Sequence, residues 1–300
     1  METFLDTRQL RAFSVLARCG SFTEAAGELH LTQSAVSHSI KALEDDLGAR
    51  LLLRSGKRLL LTPSGQELLG HADVILRRMV QARDALSALE KSPRGRLRIG
   101  CSTAAAQYIL LMVLPEFREN FPAYTVSVLP GETPETIQRL RDGVIDLSIS
   151  LKPREVHGLT CQAIFDDEVD LLVPPQHPWI AKAPTAAQLA EETFIVTSRR
   201  SYTCELFQQQ MLAHGVKVGK FIEMGSMEAM KQFVKLGLGT ALAASWAVKQ
   251  ELERGELVGL PMPYGKLERA WVVSCLEDRP LNQAELAFHR LAVAAGAQFI

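Results

Sequence analysis

No two of the five cysteines, Cys19, Cys101, Cys161, Cys204 and Cys275, stand in a CxxC pair, and their number is odd. That argues against a disulfide framework and a zinc ribbon, and leaves them as small hydrophobic side chains. Aromatic residues are scarce at 6%, and no biased low-complexity tract is present. The hydrophobic fraction of 47% and charged fraction of 22% are nevertheless those of an ordinary globular chain,. Long apolar runs are missing: LGLGTALAASWAV (236–248) is too short to span a bilayer and carries two glycines, so it reads as buried core,. The opening METFLDTRQL turns polar at once, unlike a secretory signal, and a soluble cytoplasmic protein without a membrane partner is expected,.

Catalytic signatures are absent as well. There is no G-x-S-x-G elbow, no H-E-x-x-H and no P-loop, and the Gly-Leu-Gly at 237–239 lacks the rest of a dinucleotide fingerprint,. The seven histidines show no metal-ligand spacing. No enzyme activity, cofactor or metal is expected. Nor is there a charge excess of one sign: the formal net charge is −1, and residues 1–65 hold eight Lys/Arg against seven Asp/Glu. Any nucleic-acid surface must therefore be a local patch, for which Arg50, Arg54, Lys57 and Arg58 form an acid-free candidate,.

What is present begins with HLTQSAVSHSIKALEDDLG (30–48). Val36, Ile40, Leu43 and Leu47 recur at helical spacing and predict a buried face. The opposite row, Ser34, Ser37, His38, Lys41 and Asp45 with Gln33 beside it, gives up helix propensity for short hydrogen-bonding side chains. A helix is predicted over 8–18, a second from Thr23 to about Leu29 behind a Ser21/Glu24 capping box, and a third with Thr32 as N-cap and Gly48 as C-cap. Two helices joined by a tight turn make a helix-turn-helix. Residues 51–62 then predict a β-hairpin, a wing with its basic residues at the tip. In that setting Gln and Ser suit base edges in a major groove.

A long helix is predicted from Pro63, with Leu68, Ala72, Ile75, Met79, Ala82, Leu86 and Leu89 in a heptad seam. A seam beyond a complete winged unit favours a second copy of the chain as its partner. SPRG (92–95) reads as a hinge. From Arg96 the pattern alternates: strands at RLRIGCS, YTVSVL, IDLSIS, DLLVP, FIVTS, VKVGKFIEM, TALAA and RAWVVSCL, with helices between, which predicts a parallel sheet covered by helices. Boundaries follow at 1–62 for the winged helix-turn-helix, 63–95 for the linker helix and hinge, and 96–300 for an α/β domain. The last divides into subdomain I (about 97–165 and 270–300) and subdomain II (about 166–269).

The segment QLRAFSVLARCGSFTEAAGELHLTQSAVSHSIKALEDDLGARLLLRSGKRLLLTPSGQELL resembles the DNA-binding half of a LysR-type transcriptional regulator. RLRIGCS, LPGETPETIQRLRDGVIDLSIS, VPPQHPW and SMEAMKQFVKLGLGTALAAS resemble segments of the same family in the same order. The resemblance implies a winged helix-turn-helix, a dimerising linker helix and an effector domain of two periplasmic-binding-protein-like subdomains. It implies double-stranded promoter DNA, a small-molecule effector, a second copy of the chain in a tetramer, and RNA polymerase as partners. Carried over by motif, Gln33, Ser34, Ser37 and His38 face base edges, with Thr32 and Lys41 near phosphate. Arg54, Lys57 and Arg58 hold the backbone at the wing. Many family members have Arg where this chain has His38, which cannot reproduce a bidentate guanine pairing. The matching effector positions are Ser102, Thr103, Gly131, Thr133, Thr197 and Ser198, at strand ends and helix starts that suit a carboxylate. Arg199 or Arg200 would add counter-charge and Glu132 would oppose it. Peroxide-sensing relatives place a reactive cysteine near Cys204, but no second cysteine follows within the next helix, so a structural thiol is expected.

Overall fold

The computed structural model describes residues 4–55, 58–89 and 95–299. The chain divides into two compact units, residues 1–90 and 91–300.

The first unit opens with three short helices, α1 (Thr7–Cys19), α2 (Phe22–Leu29) and α3 (Gln33–Leu47). Each starts on a side-chain cap: Asp6 accepts from the Arg8 and Gln9 amides, Ser21 from Glu24, and Thr32 from Ala35. α1 and α3 end on glycines in the left-handed region, Gly20 (φ 67°) and Gly48 (φ 62°),. α2 ends on His30 at φ 55°, a conformation a non-glycine residue rarely adopts,. Leu10, Phe13, Leu16, Ala25, Val36, Ile40 and Leu43 interlock as one core. Each of these side chains larger than alanine contributes about 1.5–3 kcal/mol by leaving water. Leu47, expected on the buried face, is 38% exposed. It lies one residue before the Gly48 cap, past the reach of the three-helix core.

A hairpin of β1 (Leu52–Ser55) and β2 (Arg58–Leu61) follows, paired antiparallel from Leu52↔Leu61 to Ser55↔Arg58. Glu44 anchors it: its buried carboxylate accepts from the Leu51 and Leu52 amides at 2.8 and 3.3 Å and from Arg50 at 3.0 Å. α4 (Pro63–Leu89) is the last element of the unit. Leu68 and Ala72 of its seam pack into the helical core, whereas Ile75 and Met79 are exposed. The side chains of Leu86 and Leu89, and the hinge residues 92–94, lie outside the described residues.

The second unit is built on one sheet of nine strands. In chain order it comprises β3 (Gly95–Cys101), a π-helical turn (105–109), α5 (Leu110–Asn120), β4 (Tyr124–Pro130), α6 (Thr133–Arg141), β5 (Leu147–Leu151), β6 (Leu159–Val173), α7 (Ala186–Glu191), β7 (Thr193–Val196), α8 (Tyr202–Ala213), β8 (Lys220–Glu223), α9 (Met227–Lys235), β9 (Thr240–Ala244), α10 (Lys249–Glu253), β10 (Val258–Leu260), β11 (Leu267–Leu276) and α11 (Gln283–Ala295). The sheet order is β4-β3-β5-β11-β6-β9-β7-β8, with β10 also on β6.

This corrects the expectation of a wholly parallel sheet. β4-β3-β5 and β9-β7-β8 are parallel trios, but β11 pairs antiparallel with β5 and β6, and β6 antiparallel with β9. Asp166, Asp167 and Glu168 interrupt the first ten residues of β6, so the apolar pattern predicts only its last part as a strand. The sheet is therefore two parallel halves joined by two crossing strands. Each half has its own core, one around Phe117, Trp271 and Phe288, the other around Phe194, Phe207 and Met211. Among the described residues, no helix is long and apolar enough to cross a membrane.

Candidate nucleic-acid interface and ligand cleft

On α3, burial of Val36, Ile40 and Leu43 turns the opposite face outward. Thr32, Gln33, Ser34, Ser37, His38 and Lys41 are all exposed there. Thr32 Oγ1 accepts the Ala35 amide at 3.2 Å and lies 3.0 Å from Ser34 Oγ, so both hydroxyls are tied to the helix start. Gln33, Ser37, His38 and Lys41 make no side-chain hydrogen bond among the described residues. A strip of free donors and acceptors at the head of a well-capped helix can bond to an external polar surface without breaking anything internal. Arg54 stands opposite Leu59, and Arg58 opposite Ser55, on the hairpin backbone. Their side chains, and Lys57 entirely, lie outside the described residues.

In the second unit a cleft of about 740 Å³, counting its open mouth, lies between the two halves of the sheet. It brings together four of the six predicted residues: Ser102 and Thr103 after β3, Thr133 at the start of α6, and Thr197 after β7. Ser102 Oγ accepts from the Ala105 amide at 3.2 Å and so starts the π-helical turn. Gly131 and Ser198 fall outside the lining. The Gly131 amide donates to the Cys101 carbonyl at 3.0 Å, and a Cβ there would meet the Arg139 guanidinium at 3.0 Å. Ser198 Oγ accepts from the Arg200 amide at 3.1 Å and shapes the turn before α8.

Neither predicted counter-charge reaches the cleft. Arg200 is exposed and paired with Glu135 at 3.3 Å, and the Arg199 guanidinium sits 5.1 Å from the Phe221 ring centre. The cation present is Arg269 of β11, which sequence reasoning missed. Its Nε donates to Asp167 Oδ1 at 2.8 Å, its Nη2 to Asp167 Oδ2, and its Nη1 to Thr203 Oγ1 at 2.7 Å. The Trp246 and Trp271 indoles also donate to Asp167 Oδ2, at 2.8 and 3.0 Å. Two of only three tryptophans in the chain thus converge on one carboxylate, a scarcity that was the available signal. Tyr108, from the π-helical turn, donates to the Ala247 carbonyl at 2.7 Å and meets Trp246 edge-on, linking one half to the other.

Glu132 lines the cleft and is the N-cap residue of α6, yet its side chain caps no amide. Burial, then the neighbouring Glu135 and Glu223, push its carboxyl pKa up, while Arg200 opposes them,. Cys204 also lines the cleft but is buried, and burial pushes its thiol up to about 11. A thiol kept protonated at neutral pH is a poor nucleophile.

Residues 7–66 match the profile described as bacterial regulatory helix-turn-helix protein, lysR family, and residues 90–297 match that of the LysR substrate binding domain. The RuBisCO operon transcriptional regulator of Allochromatium vinosum is 30% identical over 293 residues, covering 97% of this chain and 96% of the relative. Among solved structures, ArgP from Mycobacterium tuberculosis superposes with a TM-score of 0.73 at 20% identity, covering 98% of each chain. Full-length CbnR, solved in complex with its target DNA, superposes with a TM-score of 0.68 at 20% identity, covering 97% of this chain and 100% of that one.

Proposed function

The chain belongs to the LysR family of transcriptional regulators, and from that premise we propose how its own residues read a promoter and sense an effector. As a family member it is a DNA-binding regulator with an effector-binding domain, not an enzyme. In our reading residues 1–62 bind DNA, 63–95 link, and 96–300 sense, with subdomains of about 97–165 plus 270–300 and about 166–269.

Gln33, Ser34, Ser37 and His38 read base edges in a major groove. Thr32 and Lys41 contact phosphate, and Arg54, Lys57 and Arg58 hold the backbone at the wing. The effector lies in the cleft against Ser102, Thr103, Thr133 and Thr197, with Gly131 and Ser198 shaping the turns behind them. The exposed part of the α4 seam, Ile75 and Met79, pairs two chains, and pairs of dimers form a tetramer in the cytoplasm,. The effector alters promoter occupancy, and so RNA polymerase access, by binding two assembly states unequally.

The observation that carries the DNA reading is the strip of Gln33, Ser37, His38 and Lys41, without side-chain hydrogen bonds among the described residues, on a firmly capped helix. Selection of bound fragments from genomic DNA, followed by footprinting, tests it. A single operator bound at least 10³-fold more tightly than random DNA is expected. Uniform salt-dependent binding to every fragment would instead mark a nonspecific architectural protein.

A further inference from the structure

The cleft has two ionic side chains in its lining, Glu132 and Arg269, and they differ in how far each is already committed. Arg269 is neutralised: Asp167 takes its Nε and Nη2, and Thr203 takes its Nη1. Its side chain is 9% exposed and that of Asp167 is 2% exposed, so the pair is part of the cleft floor. Releasing the guanidinium to a ligand would leave Asp167 buried beside two indoles without its counter-ion.

Glu132 is the opposite case. Its side chain is half-buried, caps no helix amide, and makes no hydrogen bond or salt bridge among the described residues. The carboxylates of Glu135 and Glu223 act on it in the same sense as burial, and the opposing Arg200 is bound to Glu135. The uncompensated charge facing the cleft is therefore negative. A ligand that presented a bare carboxylate to Glu132 would bring two like charges together in a partly dry space.

Resting on the reading of this cleft as the effector site, we propose that the effector carries a protonated amine that pairs with Glu132. Its other, acceptor-bearing end lies against the hydroxyls of Thr103, Thr197 and Ser201, where α8 begins. An α-amino acid satisfies both ends, since its carboxylate can accept from the Thr103, Thr197 and Ser201 hydroxyls. A simple carboxylate satisfies only one.

The test uses the full chain in thermal-shift and calorimetric titrations with the twenty amino acids, the corresponding 2-oxo acids lacking the amine, and simple alkylamines. At least one amine-bearing compound is expected to raise Tm while its 2-oxo counterpart does not. Glu132→Gln should weaken that compound at least tenfold. The amine assignment is overturned if an amine-free acid binds equally well, if no amine-bearing compound binds, or if Glu132→Gln leaves affinity intact. Thr103→Ala separates the two readings. A shift lost in Thr103→Ala but kept in Glu132→Gln removes the amine and keeps the cleft; a shift that survives both variants removes the cleft as the effector site.

Discussion

Arg269 and Asp167 face each other in antiparallel register on β11 and β6, the strands that run between the two halves of the sheet, and their side chains form an ion pair there. β11 also shifts register at Trp271/Val272, after two further regular pairs. Trp246, from the segment after β9, reaches the same carboxylate, so Asp167 ties the second half to both crossing strands.

The consequence is a strong asymmetry between breaking this pair and replacing it. Asp167→Asn leaves a buried guanidinium without its counter-ion and is expected to cost about 3–5 kcal/mol, read as a lower urea midpoint. Arg269→Met combined with the same Asp167→Asn should recover much of that loss, because no buried charge is then left unpaired and the Asn oxygen still accepts from the indoles,. Strict additivity of the two single variants would show that the pair is not the unit of stability described here.

Two glycines of α4 make opposite predictions from the same substitution. A Cβ on Gly65 would meet the Leu51 carbonyl oxygen at 2.1 Å, in the place where Thr62 and Glu44 fasten the hairpin to the helices. Gly65→Ala is expected to destabilise by roughly 1–3 kcal/mol through overpacking. Gly70, one and a half turns on, has open space around its Cβ position. Gly70→Ala should stabilise by about 0.5–1 kcal/mol, the ordinary gain over glycine within a helix. Chemical denaturation of both variants decides the matter, and equal effects would contradict the packing.

Burial holds the Cys204 thiol at about 11 and the Cys101 thiol at about 12, both above the ordinary value of 9.0. Their folded pKa values are raised, so the folded state keeps protons that the unfolded chain loses. The corresponding stability is full below about pH 9 and declines as pH rises toward 11 and 12. Cys204→Ala should flatten that decline between pH 9 and 11, as measured by Tm across a pH series. At pH 7.5 iodoacetamide should leave Cys204 unmodified in the folded chain, and rapid alkylation there would overturn the structural-thiol reading.

The parts legible in the sequence are those written in local signals. Ser21, Thr32 and Gly48 announce the boundaries of α2 and α3 because capping needs only neighbours within three or four residues,. The family resemblance, not a local signal, pointed to Ser102, Thr103 and Thr197, and the structure sets all three in the lining of one cleft. The cleft floor was not legible. Asp167 and Arg269 lie 102 residues apart, and nothing local marks them as partners. β6 was mostly missed for a related reason: its acidic residues pair across the sheet with Arg269 and Lys266, so its polarity is satisfied at long range. Arg199 and Arg200 misled because adjacency to the cleft in sequence does not fix where a long side chain points.

The front of α3 gives the prediction nearest to function. Ser37 and Gln33 are exposed and make no side-chain hydrogen bond among the described residues, so removing them should leave stability within about 0.5 kcal/mol,. If they read base edges, Ser37→Ala and Gln33→Ala should each weaken operator binding by about 1–3 kcal/mol while nonspecific binding and its salt slope stay fixed. Lys41→Ala should do the reverse, weakening all DNA about equally and reducing the salt slope by about one. Fluorescence anisotropy on operator and scrambled duplexes over a salt series separates these outcomes. A Ser37→Ala variant with an unchanged specificity ratio would remove Ser37 from the base-reading set, and a Lys41→Ala variant that loses specificity alone would exchange the roles of the two residues.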